Sequence, residues 1–325
     1  MVSIGLSAAG VARIRFAVSC LWEVAAGVRV LREPGRHAVH LPWVRRVRPS
    51  LAEAGLLGPD GLLWQLIPAA PGYFPDFLTP PPAGLNPDLA AELAVLRATP
   101  AATVRAQLDL APGDRPPAVA ALHADPEAGL RRLAGEIETY WRIAVAADWP
   151  RIRVLLDAEV FARARRLAED GVAALLNDLH DWVRWEDGTL RIAQRHCAAP
   201  DVPAGGALVL VPSVFVWPSV LSVAAGDAPQ LSYPARGVGT LWESPAGTPG
   251  ALAAVLGPGR ARLLTELAAP TAGTELARRT GMSPAGVSQH LTALRAAGLV
   301  TTHRQGRTLL SVRTEVAEAL LAAAG

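Results

Sequence analysis

Six residues between positions 283 and 290, Ser283, Ala285, Gly286, Ser288, Gln289 and His290, mix hydrogen-bonding side chains with ones too small to obstruct a close approach. Gln289 can offer its amide to a base edge, and His290 can bond a base or a phosphate oxygen. Arginines follow at 295, 304 and 307, permanent cations that suit phosphate oxygens. Together these types fit a surface laid against a polyanionic duplex, with small polar groups at the bases and guanidinium groups at the backbone.

Such residues need a rigid element to present them. Gly281 can take the positive φ that closes a helix, Ser283 is a good N-cap and Pro284 suits a first helical position, so the spacing predicts a helix, a tight turn and a second helix. In the second, Val287, Leu291 and Leu294 recur at i, i+4 and i+7 and face inward towards Leu276 and Ala277 of the first. That leaves residues 285, 286 and 288–290 on the outer face near the helix N-terminus. After Gly298, residues 299–304 and 307–313 read as two strands around Gln305-Gly306, a wing with Arg304 and Arg307 beside its tip.

From about Leu256 onward, the run from Met282 through Gly286, Gln289, Leu294 and Gly298 to Val300 resembles the winged helix-turn-helix domain of ArsR-type regulators. The resemblance implies a dimeric transcription factor that binds double-stranded operator DNA in the cytoplasm and associates with the nucleoid when bound. It covers about a fifth of the chain. Relatives that sense metals use cysteines in the first helix of the motif or histidines in the terminal helix. Residues 267–276 contain no thiol and residues 315–321 no histidine, so a scaffold without the metal switch is expected. The upstream segments Trp22-Glu23, Leu41-Pro42-Trp43, the run from Tyr73 to Pro81 and the run from Val211 to Trp217 look like an uncharacterised domain that precedes this winged helix in actinobacterial regulators. It brings no known ligand, and a small-molecule effector stays unassigned.

Charge follows the motif. From Pro258 onward there are eight arginines (260, 262, 278, 279, 295, 304, 307, 313) against four glutamates (266, 275, 315, 318), whereas the whole chain of 325 residues carries only +2. A local basic surplus is what phosphate binding requires. The competing reading is a winged helix that serves only as a protein-protein scaffold; the charge asymmetry favours DNA.

A second group, His37 and His40 with Asp76 and Asp148, has the side-chain types of a catalytic or metal site, but nothing in the sequence places them together. His-x-x-His spacing is weak, and two histidines on a helix surface is the favoured reading. With no nucleophile elbow, phosphate loop or dinucleotide fingerprint, no enzymatic activity, metal or cofactor is expected. Cys20 and Cys197 are too few for a disulfide framework and read as small buried hydrophobes in a reducing compartment.

Residues 1–245 are expected to form a regulatory and dimerisation domain, and residues 250–325 the DNA-binding domain. The fold class expected is α+β, mostly helical, with a small sheet in the larger domain. Ser19 caps a helix with Leu21, Trp22, Ala25, Val28 and Leu31 along one stripe, another helix runs from Pro42 to Ala54, and residues 68–87 form an ordered wrap anchored by Tyr73, Phe74 and Phe77. Helices follow to His180, including residues 125–147 and a long run from Pro150 interrupted near Gly171. In that run Val154, Leu155, Val160, Phe161, Ala164 and Leu167 are expected to face the core, with Arg151, Arg153, Arg163, Arg165 and Arg166 on a solvated side paired to acids at i+4. Asp187-Gly188 marks a hairpin, whose sheet residues 207–211 and 230–234 could extend. The uncharged stretch 205–226 contains Pro212 and Pro218 and reads as buried strand rather than membrane span. Nine tryptophans are expected to fill core before lining any ligand pocket.

Overall fold

The computed structural model describes residues 2–70, 72–111, 113–193, 207–223, 228–242, 249–267, 270–305 and 308–324. Two units separate, Met1–Trp242 and Glu243–Gly325, and the class is α+β, mostly helical.

The first unit begins with β1 (Val2–Gly5), α1 (Ala8–Val11) and β2 (Arg15–Phe16). Ser19 then caps α2 (Cys20–Arg32), its hydroxyl accepting from Trp22 N at 3.1 Å. The expected apolar stripe is present, but α2 is buried on nearly every side from Cys20 to Val28, as a helix at the centre of a large core must be. Glu92 serves the N-terminus of α2, accepting from Ser19 Oγ at 2.6 Å and from the backbone N–H groups of Cys20 and Leu21 at 3.0 Å. Glu23, fully buried, accepts from Ser213 Oγ and Val214 N, both at 3.0 Å. Cys20 is buried as expected, and burial pushes its thiol pKa up; Cys197 lies outside the described residues.

Packed on α2 are α3 (Leu41–Glu53), α5 (Leu89–Arg97) and α8 (Pro126–Ala144), and against α8 lie α4 (Leu62–Leu66), α6 (Ala101–Asp109) and α7 (Pro117–Ala124); the Asp125 carboxylate caps α8 on Ala128 N. The wrap between α4 and α5 is held by buried Phe74 and Phe77. Trp22 and Trp43 are fully buried and Trp64, Trp141, Trp149, Trp185 and Trp242 pack partly buried against the cores, whereas Trp182 and Trp217, expected to fill core, are exposed.

The long helix α9 (Trp149–Asn177) breaks at Gly171, whose φ of 79° and ψ of 179° leave the helical region. Its orientation corrects the sequence reading. Ile152, Leu156, Glu159, Val160 and Arg163 face inward, whereas Val154 and Phe161 are 72% and 73% exposed and Ala164 is exposed too. The reason is ionic. Arg163 donates to Glu159 Oε1 at 2.6 Å and to the Asp178 carboxylate at 2.5 Å, and Arg236 Nε donates to Glu159 Oε2 at 3.0 Å. Holding that buried network inside turns the apolar edge of the helix outward. Three of the other arginines pair along the surface as expected, Arg153 with Asp157, Arg165 with Glu169 and Arg166 with Asp170.

Asp187 and Gly188, with φ of 48° and 75°, close the expected hairpin of β3 (Val183–Glu186) and β4 (Thr189–Ile192). The following strands do not extend it. β5 (Val209–Ser213), β6 (Leu221–Val223) and β7 (Gln230–Pro234) join β2 in a separate sheet of order β2-β5-β7-β6, while the hairpin recruits β1. β2, β5 and β7 run parallel, and β5 is buried on both faces, which demands covering layers that a two-stranded hairpin cannot give. Among the described residues no helix is long and apolar enough to cross a membrane.

The second unit comprises α10 (Pro249–Leu256), α11 (Pro258–Glu266), β8 (Thr271–Ala272), α12 (Gly273–Thr280), α13 (Pro284–Ala296), β9 (Val300–Gln305), β10 (Thr308–Arg313) and α14 (Glu315–Ala324). Its core joins Leu263 and Leu264 of α11, Leu276 of α12, and Val287, Leu291 and Leu294 of α13.

Candidate nucleic-acid interface

Each turn of the motif is set by one residue. Gly281 takes φ 68° and ends α12 in the left-handed conformation. Two residues on, Ser283 Oγ accepts from Gly286 N at 3.1 Å, with Pro284 in the first turn, so α13 starts where the spacing requires. Val287, Leu291 and Leu294 are buried against α11 and α12. Ser283, Ala285, Ser288 and Gln289 are exposed and Gly286 half-buried, a small polar surface at the positive end of the helix.

His290 departs from the outward placement read from its sequence position. It is half-buried, and a Cβ added at Gly259 of α11 would come within 2.7 Å of its Nε2. The imidazole therefore fills the space that the missing side chain leaves on α11. The i+3 step from Val287 signals this, since it places position 290 at the margin of the inner face rather than outside it.

Arg295 is exposed near the end of α13, with Nε donating to Leu291 O at 3.2 Å and a second nitrogen donating to Thr292 Oγ1 at 3.1 Å. Arg304 is exposed on β9 opposite Leu309. Gln305 pairs with Thr308, so β9 continues one residue further than the sequence suggested; Arg307, expected at the wing tip, lies outside the described residues. The sequence also missed β8, two residues that pair with Leu310 and Ser311 and fix the wing to the start of α12. Arg278 and Arg279 are engaged by Glu275 at 2.6 and 2.8 Å, hydrogen bonds that hold the Glu275 carboxyl down at about 2. They form a solvated face of α12.

The other candidate cluster dissolves. His37 and His40 are buried in short turns rather than set on a helix surface. His37 Nδ1 donates to Trp217 O at 2.8 Å, and His40 Nδ1 accepts from Trp242 Nε1 at 2.8 Å. Burial drives the His40 pKa down to about 3, so the ring is a neutral core group, tilted against Phe215 and edge-on to Trp242. Asp148 pairs with Arg46. Asp76, pushed up to about 6 by burial, sits in the wrap between α4 and α5. No group of three metal-ligating side chains occurs among the described residues.

Residues 256–303, from the end of α10 into β9, match a family described as a helix-turn-helix domain. No curated protein and no solved structure matches the chain. The chain thus carries, at its C-terminal end, the helix-turn-helix domain of a DNA-binding regulator.

Proposed function

We propose that the protein is a sequence-specific transcriptional regulator of ArsR type, cytoplasmic and without a metal switch, that binds operator DNA as a homodimer. The observation that carries this reading is the capped N-terminus of α13, where Ser283, Ala285, Ser288 and Gln289 stand exposed above a buried Val287, Leu291 and Leu294. In this reading α13 enters the major groove, Gln289 meets base edges, Ser283, Gly286 and Arg295 help seat the helix, and Arg304 and Arg307 approach phosphates from the wing. Homodimer formation through the second unit is supported by Val255 on α10 and Val316 on α14, 80% and 63% exposed, because large apolar groups left in water favour association. Residues 1–245 then act as the regulatory and dimerisation part. A candidate effector site is an open groove of about 520 Å³ beyond the C-terminal ends of β5 and β7, lined by Val39, Trp217, Ala235, Arg236 and Val238. The ends of parallel strands are where α/β sheets take small ligands.

Fluorescence anisotropy of the full chain on the DNA upstream of its own gene, against a scrambled duplex and over a salt series, tests the reading. Salt-dependent preference for the native fragment is expected; absence of binding to any duplex would make the winged helix a protein-protein scaffold. Gln289→Ala is expected to weaken operator binding by roughly 1–3 kcal/mol with a smaller effect on random DNA. His290→Ala, by contrast, is expected to weaken both alike, because its ring seats α13 on Gly259; a loss confined to the operator would return His290 to the bases. Arg304→Ala is expected to lower the slope of log K against log salt by about 0.9, and an unchanged slope would remove Arg304 from the phosphate contacts.

A further inference from the structure

We propose that the exposed face of α9 is a self-association surface, on which two copies of this chain pair their α9 helices antiparallel about a two-fold axis at Phe161. The proposal rests on the homodimer reading above and adds a contact in the first unit to it.

Between Trp149 and Asp170 the helix is unbroken, and Gly171 ends that stretch. Its outer face carries Val154, Ala158, Phe161 and Ala168, all exposed, with Arg165 among them. Steps of four, three, four and three residues put these positions on one narrow stripe, the spacing of a seam between two helices. Val154 and Phe161 lie in water on this stripe although the opposite side of the helix, at Ile152, Leu156 and Val160, is already packed.

The charges name the occupant. In an antiparallel pair centred on Phe161, the residue n positions after it lies level with the residue n positions before it on the other helix. Arg165 then meets Asp157 of the partner subunit about 6 Å along the axis from the centre, and Glu169 lies level with the partner's Arg153. Ala164 lies level with the partner's Ala158 and leaves room for the two phenyl rings, while Ala168 lies level with the partner's Val154. Arg165 and Asp157, each also paired along its own helix with Glu169 and Arg153, thus find the opposite sign in a second copy of the same helix. A parallel pair would set Arg165 against Arg165 and Asp157 against Asp157, and a strongly charged partner such as nucleic acid would find a surface whose charges balance.

The test is sedimentation of the full chain without DNA, comparing wild type with Asp157→Arg, Arg165→Asp and the double variant. These side chains are 53% and 68% exposed, so neither reversal disturbs the core. Each single reversal creates two like-charge contacts per dimer and is expected to raise the dimer Kd roughly tenfold or more. The double variant restores both contacts and is expected to return to within about threefold of wild type. Oxidation of Phe161→Cys should in addition link two chains through position 161, which only a residue on the axis can do. Single reversals that leave Kd unchanged, or a double variant no tighter than the weaker single one, would overturn the proposal. A wild type that dimerises regardless would then do so elsewhere, leaving the DNA-binding reading intact; a wild type monomeric at about 100 μM would remove the homodimer itself.

Discussion

Replacing Arg163 by methionine is expected to lower the unfolding free energy by about 3–5 kcal/mol, measured by urea denaturation. The side chain is almost entirely buried, as is that of Glu159, and its guanidinium donates to Glu159, to the Asp178 carboxylate and to the Asp178 carbonyl at 2.9 Å. Methionine fills most of the volume but leaves Glu159 inside with only Arg236, a half-exposed partner. The cost is therefore that of an under-compensated interior charge, not of a lost surface pair. Removing Glu159 together with Arg163 should cost less than the sum of the two single changes, because the double variant strands no partner on α9. A methionine variant within about 1 kcal/mol of wild type would mean that the network does not set the orientation of α9.

Stability should also fall as pH rises from about 6.5 to 8, with Glu23 as the principal cause. Burial lifts its carboxyl to about 8, against the downward pull of the donors at Val214 and Ser213. Between the ordinary value of 4.5 and 8, the folded chain holds a proton that the unfolded chain releases, so folding loses up to about 1.4 kcal/mol per pH unit across that window. Glu92, also raised by burial, adds to the same slope. His40 acts in the opposite sense. Its folded value near 3 means that the unfolded chain takes up a proton first as pH falls below 6.5, and stability drops on that side. A maximum between about pH 5 and 6.5 is expected. Urea midpoints at pH 5.5, 7 and 8.5 should decline in wild type and decline less in Glu23→Gln; parallel curves for the two proteins would show Glu23 ionised throughout.

The helix-turn-helix was legible because its signals are local. Gly281, Ser283 and Pro284 act on their own backbone, and Val287, Leu291 and Leu294 report an inner face within one helix. The hairpin at Asp187-Gly188 was legible for the same reason. What failed depended on partners far along the chain. The turning of α9 hangs on Glu159, Arg163, Asp178 and Arg236, and a periodicity that counts arginine as solvent-facing assigns such a helix backwards. The histidines at 37 and 40 were misplaced because their partners, Trp217 and Trp242, come about 180 and 200 residues later. Sheet membership failed likewise, since residues 207–211 and 230–234 gave no sign that β2, rather than the hairpin, would be their neighbour.

The strands at the start of the chain also govern how this protein is made. β1 pairs with β4 at residues 189–192, and β2 with β5 at residues 209 and 210, so both must wait until nearly two hundred further residues have been synthesised. At about 5–20 residues per second that delay is roughly 10–40 seconds. Throughout it, α2, with apolar groups on almost every side, lacks β5 and the Ser213-Val214 donors that receive Glu23. The nascent first unit is therefore a natural client for a chaperone at the ribosome, whereas the second unit, whose core is drawn from residues 252–321, can fold as soon as it emerges.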